Sequence, residues 1–134
     1  MRLLLDSHVF VWSKAAPQNL CDEAHAAILD PDNEVFISYA SAWELWIKHA
    51  KRPFGAFASV LDNGAKSFLE AASESGVVPL EITLDHAASA AALPAIHRDP
   101  FDRMIIAQAM AERLTVVTSD ATFARYAGVL LLKA

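Results

Sequence analysis

Short apolar runs alternate with helical segments along the whole of this 134-residue chain, and that alternation restricts the fold more than any other feature. Residues 2–5, 35–37, 77–82, 115–118 and 129–132 read as strands, rich in Leu, Ile and Val. Residues 6–12 and 22–29 read as helices, as do a segment from Ser41 to Pro53, residues 87–93 and residues 121–126. One more helix opens at Asp99-Pro100 and carries Ile105, Ile106, Ala109 and Met110 on one side. Pro31-Asp-Asn, Asn63-Gly64 and Gly76 punctuate the pattern. Strands separated by helices pair in parallel, and a parallel sheet is buried on both faces. The expected fold class is therefore α/β, a three-layer α/β/α arrangement around a mainly parallel sheet of about five strands.

A chain of 134 residues fits one domain, expected to span 1–134, and buries roughly two-thirds of its unfolded surface. The hydrophobic fraction of 54% and mean hydropathy of +0.28 are high for a soluble protein, while 20% charged residues argue against disorder. An apolar partner surface is one outlet for that surplus. The weakly polar stretch 87–96 is far shorter than the ~20 residues of a membrane-spanning helix. The first residues reach Asp6 too soon for a signal peptide. Cys21 is alone, so no internal disulfide forms. These features together place the protein in the cytoplasm with no membrane partner.

Asp6, Glu44, Asp102 and Asp120 each fall where a strand gives way to a helix or a helix begins. In an open α/β sheet the loops after the strands converge on one crevice, so acids distant in sequence meet there. Taken singly each has a structural explanation: Asp6 and Asp120 as N-caps, Glu44 and Asp102 as third-residue acids that complement the helix dipole. Ser41-Ala-Trp-Glu44 has capping-box spacing. Taken jointly they make a shared acidic site, which is tolerable only when protons or hard divalent cations neutralise it. Asp99 precedes Pro100 and is fully occupied as an N-cap, so it ranks as an auxiliary ligand.

The net charge of −5 argues against broad nucleic-acid affinity, yet basic residues lie beside the acids. Arg98, Arg103 and Lys48 are the candidates for phosphate contacts, with salt-bridging to the acids as the competing role. Thr118 and Ser119 are placed to hydrogen-bond a ligand carboxylate or to satisfy local backbone. The five histidines lack zinc-site spacing and are assigned to no metal; His8 and His97 are near enough to reach the crevice, but an imidazole capping or bonding backbone near a helix start is the better reading of both. Trp12, Trp43 and Trp46 suit core or interface packing better than stacking on RNA bases.

His97-Arg-Asp-Pro-Phe-Asp-Arg-Met-Ile-Ile-Ala-Gln-Ala109 resembles the signature of PIN-domain proteins of the VapC toxin family. Leu3-Leu-Leu-Asp6-Ser-His, Ser38-Tyr-Ala-Ser-Ala-Trp-Glu44 and Val117-Thr-Ser-Asp120 are similar to that family's other acidic motifs. Residues 53–76 carry no such likeness. The resemblance implies a PIN-like fold and a Mg²⁺- or Mn²⁺-dependent endoribonuclease. Asp6, Glu44, Asp102 and Asp120 would be its metal-binding catalytic residues, and RNA its substrate. It also implies a homodimer held inactive by a cognate antitoxin. Cations so held activate water and stabilise charge on the leaving oxygen.

Other classes fit less well. A phosphatase of the haloacid dehalogenase type needs a second Asp where this chain has His8, and a receiver-like domain wants paired acids after the first strand. A noncatalytic PIN scaffold that binds RNA or protein is the serious competitor, but commonly lacks one of the acids present here.

Overall fold

The computed structural model describes residues 1–134. Its strands are β1 (Arg2–Leu5), β2 (Glu34–Ser38), β3 (Val77–Leu80), β4 (Thr115–Thr118) and β5 (Leu130–Lys133). Every neighbouring pair is parallel, in the order β3-β2-β1-β4-β5. The α/β class, the parallel sheet and its five strands are as the sequence led us to expect.

The helices are α1 (Ser7–Ala15), α2 (Asp22–Leu29), α3 (Tyr39–Lys51), α4 (Ala58–Asp62), α5 (Gly64–Glu74), α6 (Leu84–Ala92) and α7 (Pro100–Glu112). Short 3-10 turns occupy Pro17–Asn19, Gly55–Phe57 and Ala121–Arg125. Side chains along β1 alternate between two cores. Leu3 and Leu5 join Val9, Phe10, Leu45 and Phe68 on one face, while Leu4 joins Ile105, Ile106 and Phe123 on the other. All three leucines are fully buried, as the middle strand of a two-sided parallel sheet requires. No helix is long and apolar enough to cross a membrane.

The strand order creates the functional geometry. The chain leaves β1 for β2 and β3 on one side, then returns to build β4 and β5 on the other. Such a reversal opens a crevice at the carboxyl ends of the two strands that flank it, here β1 and β4. Asp6 follows β1 directly, its amide bonded to the Val117 carbonyl of β4 at 3.0 Å.

One boundary differs in a way that bears on the site. The capping-box reading started a helix at Ser41, but α3 begins at Tyr39, and the Ser38 hydroxyl accepts the Ala40 amide at 3.0 Å. Strand β2 runs into α3 without a loop, so the first serine after the strand takes the cap. Ser41 is left inside the helix, buried and without a hydrogen-bond partner. Glu44 consequently lies in the second turn, where neither capping nor the dipole accounts for an acid.

Candidate metal centre

Asp6 is the N-cap of α1. Its Oδ1 accepts the Ser7 amide at 2.7 Å, and its Oδ2 accepts the Thr118 hydroxyl at 2.8 Å. The Thr118 hydroxyl in turn accepts the Asp120 amide at 3.0 Å, so one β4 side chain ties two acids together. Burial pushes the Asp6 carboxyl above its usual range, against the lowering effect of the Thr118 and Ser7 bonds.

Glu44 is 3% exposed and held from two sides. Ser7 Oγ donates to its Oε1 at 2.6 Å, and Lys48 Nζ lies 2.9 Å from its Oε2, one helical turn away. Asp102 is the third residue of α7, and Asp99 caps that helix by accepting the Phe101 amide at 2.9 Å. Asp120 Oδ1 accepts the Thr122 amide at 2.8 Å, so it too serves as a cap. Capping and clustering therefore coexist, because a carboxylate has two oxygens.

Ligand-capable atoms of Glu44, Asp99 and Asp102 lie within 4.8 Å of one another, and so do those of His97, Asp102 and Asp120. Asp102 is common to both groups. Its carboxyl is pushed up to about 7, first by burial, then by the negative charges of Asp6, Asp99 and Glu44, with His97 opposing. Asp120 moves the other way. Partial burial would raise it, but the Thr122 amide and His97 outweigh that and hold it below the usual range. Hard carboxylate oxygens sharing one crevice are the donor set of a divalent cation, so the residues present fit such an ion.

The structure brings Asp6, Glu44, Asp99, Asp102 and Asp120 to one cavity of about 240 Å³, with Lys48 and Ser119 also on its wall. Arg98 is exposed and makes no ion pair. Arg103 does not face the cavity's acids. Its guanidinium donates to the carbonyls of Ala90, Leu93 and Pro94 at 2.9–3.0 Å, and reaches those of Ala91 and His97 at 3.4 Å. These carbonyls end α6 and its following loop, where helix geometry leaves acceptors unpaired, and the planar fork of Arg meets several at once. The expected phosphate contact is thus replaced by a clamp that fixes the loop carrying His97. Arg103→Lys should therefore lower stability by about 1.5–3 kcal/mol in urea unfolding, the range for bonds to a charged donor. An unchanged midpoint would show the clamp to be dispensable.

One residue of the site was not singled out from the sequence, and a second was given another role. Ser7 follows Asp6 at the first position of α1, and that adjacency was the available signal. His97 was set aside as a backbone-bonding imidazole, and Nδ1 does accept the Asp99 amide at 3.2 Å. That bond leaves the ring proton on Nε2, which lies 2.9 Å from both Asp102 Oδ2 and Asp120 Oδ2. One histidine thereby joins the acid after β4, Asp120, to the acid at the start of α7, Asp102.

An acidic crevice at the β1/β4 reversal of a 3-2-1-4-5 parallel sheet defines a class of α/β proteins, and comparison with known proteins agrees. The PIN domain model matches residues 3–129, and the chain belongs to that family. It is 37% identical over 120 residues to Ribonuclease VapC22 of Mycobacterium tuberculosis (strain ATCC 25618 / H37Rv), covering 88% of this chain and 86% of that protein. Among solved structures it is similar to VapBC2 from Rickettsia felis bound to a promoter DNA fragment. There the TM-score is 0.72 at 18% identity, with 100% of this chain and 99% of that one covered. DNA-bound VapBC from Salmonella typhimurium gives 0.69 at 18% identity, covering 99% and 98%. At these identities the structural likeness speaks for the fold. The VapC resemblance read from the His97–Ala109 segment is thus upheld.

Proposed function

We propose that this chain is a divalent-cation-dependent endoribonuclease, a single PIN domain over residues 1–134 that serves as the toxin of a VapBC-type toxin–antitoxin pair. The observation that carries the reading is the position of Asp102, within 4.8 Å of two separate groups of ligand atoms. Asp6, Glu44, Asp102 and Asp120 are the metal-binding and catalytic residues, with Asp99 auxiliary. The ion, Mg²⁺ or Mn²⁺, supplies water activation and charge stabilisation at the leaving oxygen.

The chain's own residues position this chemistry. Thr118 orients Asp6, and Ser7 and Lys48 orient Glu44, so neither carboxylate turns freely. Ser119 sits on the cavity wall as a further hydroxyl. Arg98, unpaired and exposed, is available to a phosphate, and Lys48 becomes so when a cation takes Glu44. The relative of 37% identity is named a ribonuclease, which supports RNA as the substrate.

The partner we assign is a cognate antitoxin, because the solved neighbours are VapBC assemblies. An apolar groove of about 250 Å³ between α3 and α5, lined by Tyr39, Trp46, Phe68 and Leu69, suits such a partner or a second copy in a homodimer. The protein acts in the cytoplasm, where RNA and antitoxin are available.

Antitoxin-free protein incubated with total RNA should yield discrete fragments with Mn²⁺ or Mg²⁺, none with EDTA, and none from Asp6→Ala. Absence of cutting by folded protein with either ion, on RNA preparations of varied source, would favour a noncatalytic PIN module.

A further inference from the structure

The acidic cavity has one aromatic wall. Trp12 of α1 is the only apolar side chain lining it, among five carboxylates, Lys48 and the Ser119 hydroxyl. Its inner side packs against the main core, while part of the ring remains accessible. His8, one turn earlier on the same helix, meets Trp12 edge-on, with ring centres 6.2 Å apart and planes at 64°. His8 is exposed and also lines the cavity.

The other two tryptophans are placed differently. Trp46 is partly buried and donates its indole N–H to the Leu61 carbonyl at 3.0 Å. Trp43 is 62% exposed and leans on Phe101 with ring centres 5.2 Å apart, but it does not line the cavity. Of the three tryptophans, only Trp12 lines the cavity beside the carboxylates.

An aromatic side chain at this place suits one kind of occupant. With a net charge of −5, the chain draws little affinity for RNA from counterion release, so contacts independent of charge must contribute. Stacking of a base on an aromatic ring supplies such a contact and tolerates any sequence. A duplex keeps its base faces inside the stack, whereas an unpaired nucleotide presents one. We propose that His8 and Trp12 form a stacking subsite for one unpaired nucleobase of the RNA, adjoining the phosphodiester bond on which the carboxylates act. This rests on the ribonuclease reading and adds to it two residues that hold the substrate beside the carboxylates.

The test measures binding of a short fluorescent single-stranded oligoribonucleotide by anisotropy, with Mn²⁺, in full-length protein carrying Asp102→Asn to suppress cleavage. Adding Trp12→Leu should weaken binding roughly 5- to 150-fold, the effect of one base-stacking ring. Trp12→Phe should stay within a few-fold of the parent, and Trp43→Leu should match it. Unchanged affinity in Trp12→Leu overturns the subsite and leaves RNA binding intact. An equal loss on duplex RNA overturns it too, because stacking on an unpaired base cannot act there. If the Asp102→Asn parent binds no RNA, the ribonuclease reading and this inference fail together. Should Trp12→Leu not fold, His8→Ala decides. Its exposed ring has no core role, and a several-fold loss on single strands supports the subsite, whereas unchanged affinity overturns it.

Discussion

Asp102→Asn is expected to lower RNA cleavage by at least about 100-fold while making the metal-free protein more stable at pH 8. The catalytic loss follows from the position of Asp102 in both groups of ligand atoms. Altering groups that merely orient a ligand already costs about 10- to 100-fold, so a shared ligand should exceed that. The stability gain follows from electrostatics. Burial and the charges of Asp6, Asp99 and Glu44 raise the Asp102 carboxyl to about 7, so at pH 8 its charge is held against opposition. Asparagine has the same shape and no charge. The helix dipole pulls the other way, because an acid in the first turn of α7 gains about 0.3–1 kcal/mol, equivalent to less than one pH unit. The rise from 3.8 to about 7 that burial and repulsion produce is the larger effect. Differential scanning fluorimetry at pH 8 with EDTA checks the second half, and single-turnover cleavage the first. A folded variant with full activity removes Asp102 from the mechanism, and a less stable one removes the electrostatic account.

The crevice was legible because strand ends are legible. Residues 2–5 and 115–118 coincide with β1 and β4, and the acids that follow them, Asp6 and Asp120, need only chain connectivity to be placed. The start of α7 was equally plain, since Asp99 before Pro100 specifies a cap locally. Glu44 was reached through a mistaken premise. Its capping-box spacing with Ser41 belongs to the interior of α3, so the helix start does not account for the acid.

What the sequence withheld depends on side-chain reach. Nothing local distinguishes Arg103, which turns back to five carbonyls of the α6 end and its loop, from Arg98, which meets none. Both bracket Asp102 in sequence, yet only the packing of α6 against α7 decides between them. The contact between His97 and two acids is likewise tertiary, joining a loop, a helix start and a strand end. Trp12 was assigned to packing, and it does pack against the core, but it also lines the acidic cavity, which its sequence position did not show.

Protons and the divalent cation should compete for the same carboxylates, which gives the second large effect. In the metal-free protein Asp102 and Asp6 both titrate above their usual values, so the folded state binds protons more tightly than the unfolded chain. Stability without metal is then greatest below about pH 4 as far as these groups are concerned, and is lost as pH rises through about 7. Asp120, held low, contributes in the opposite sense, with stability present above its unfolded value and lost in acid. A bound cation reverses the sign for Asp102. It needs the ionised carboxylate, so below pH 7 each unit of acidification should weaken apparent affinity by about tenfold for one displaced proton. At a fixed Mn²⁺ concentration the rise in Tm over an EDTA control should grow from pH 5.5 to pH 7.5 and level off above it. Calorimetric titration in buffers of different ionisation enthalpy should register about one proton released per ion at pH 6 and almost none at pH 8.5. A metal-induced Tm shift that is flat across this range would mean that the ion does not engage Asp102, and would leave the raised carboxyl as a feature of the metal-free fold alone.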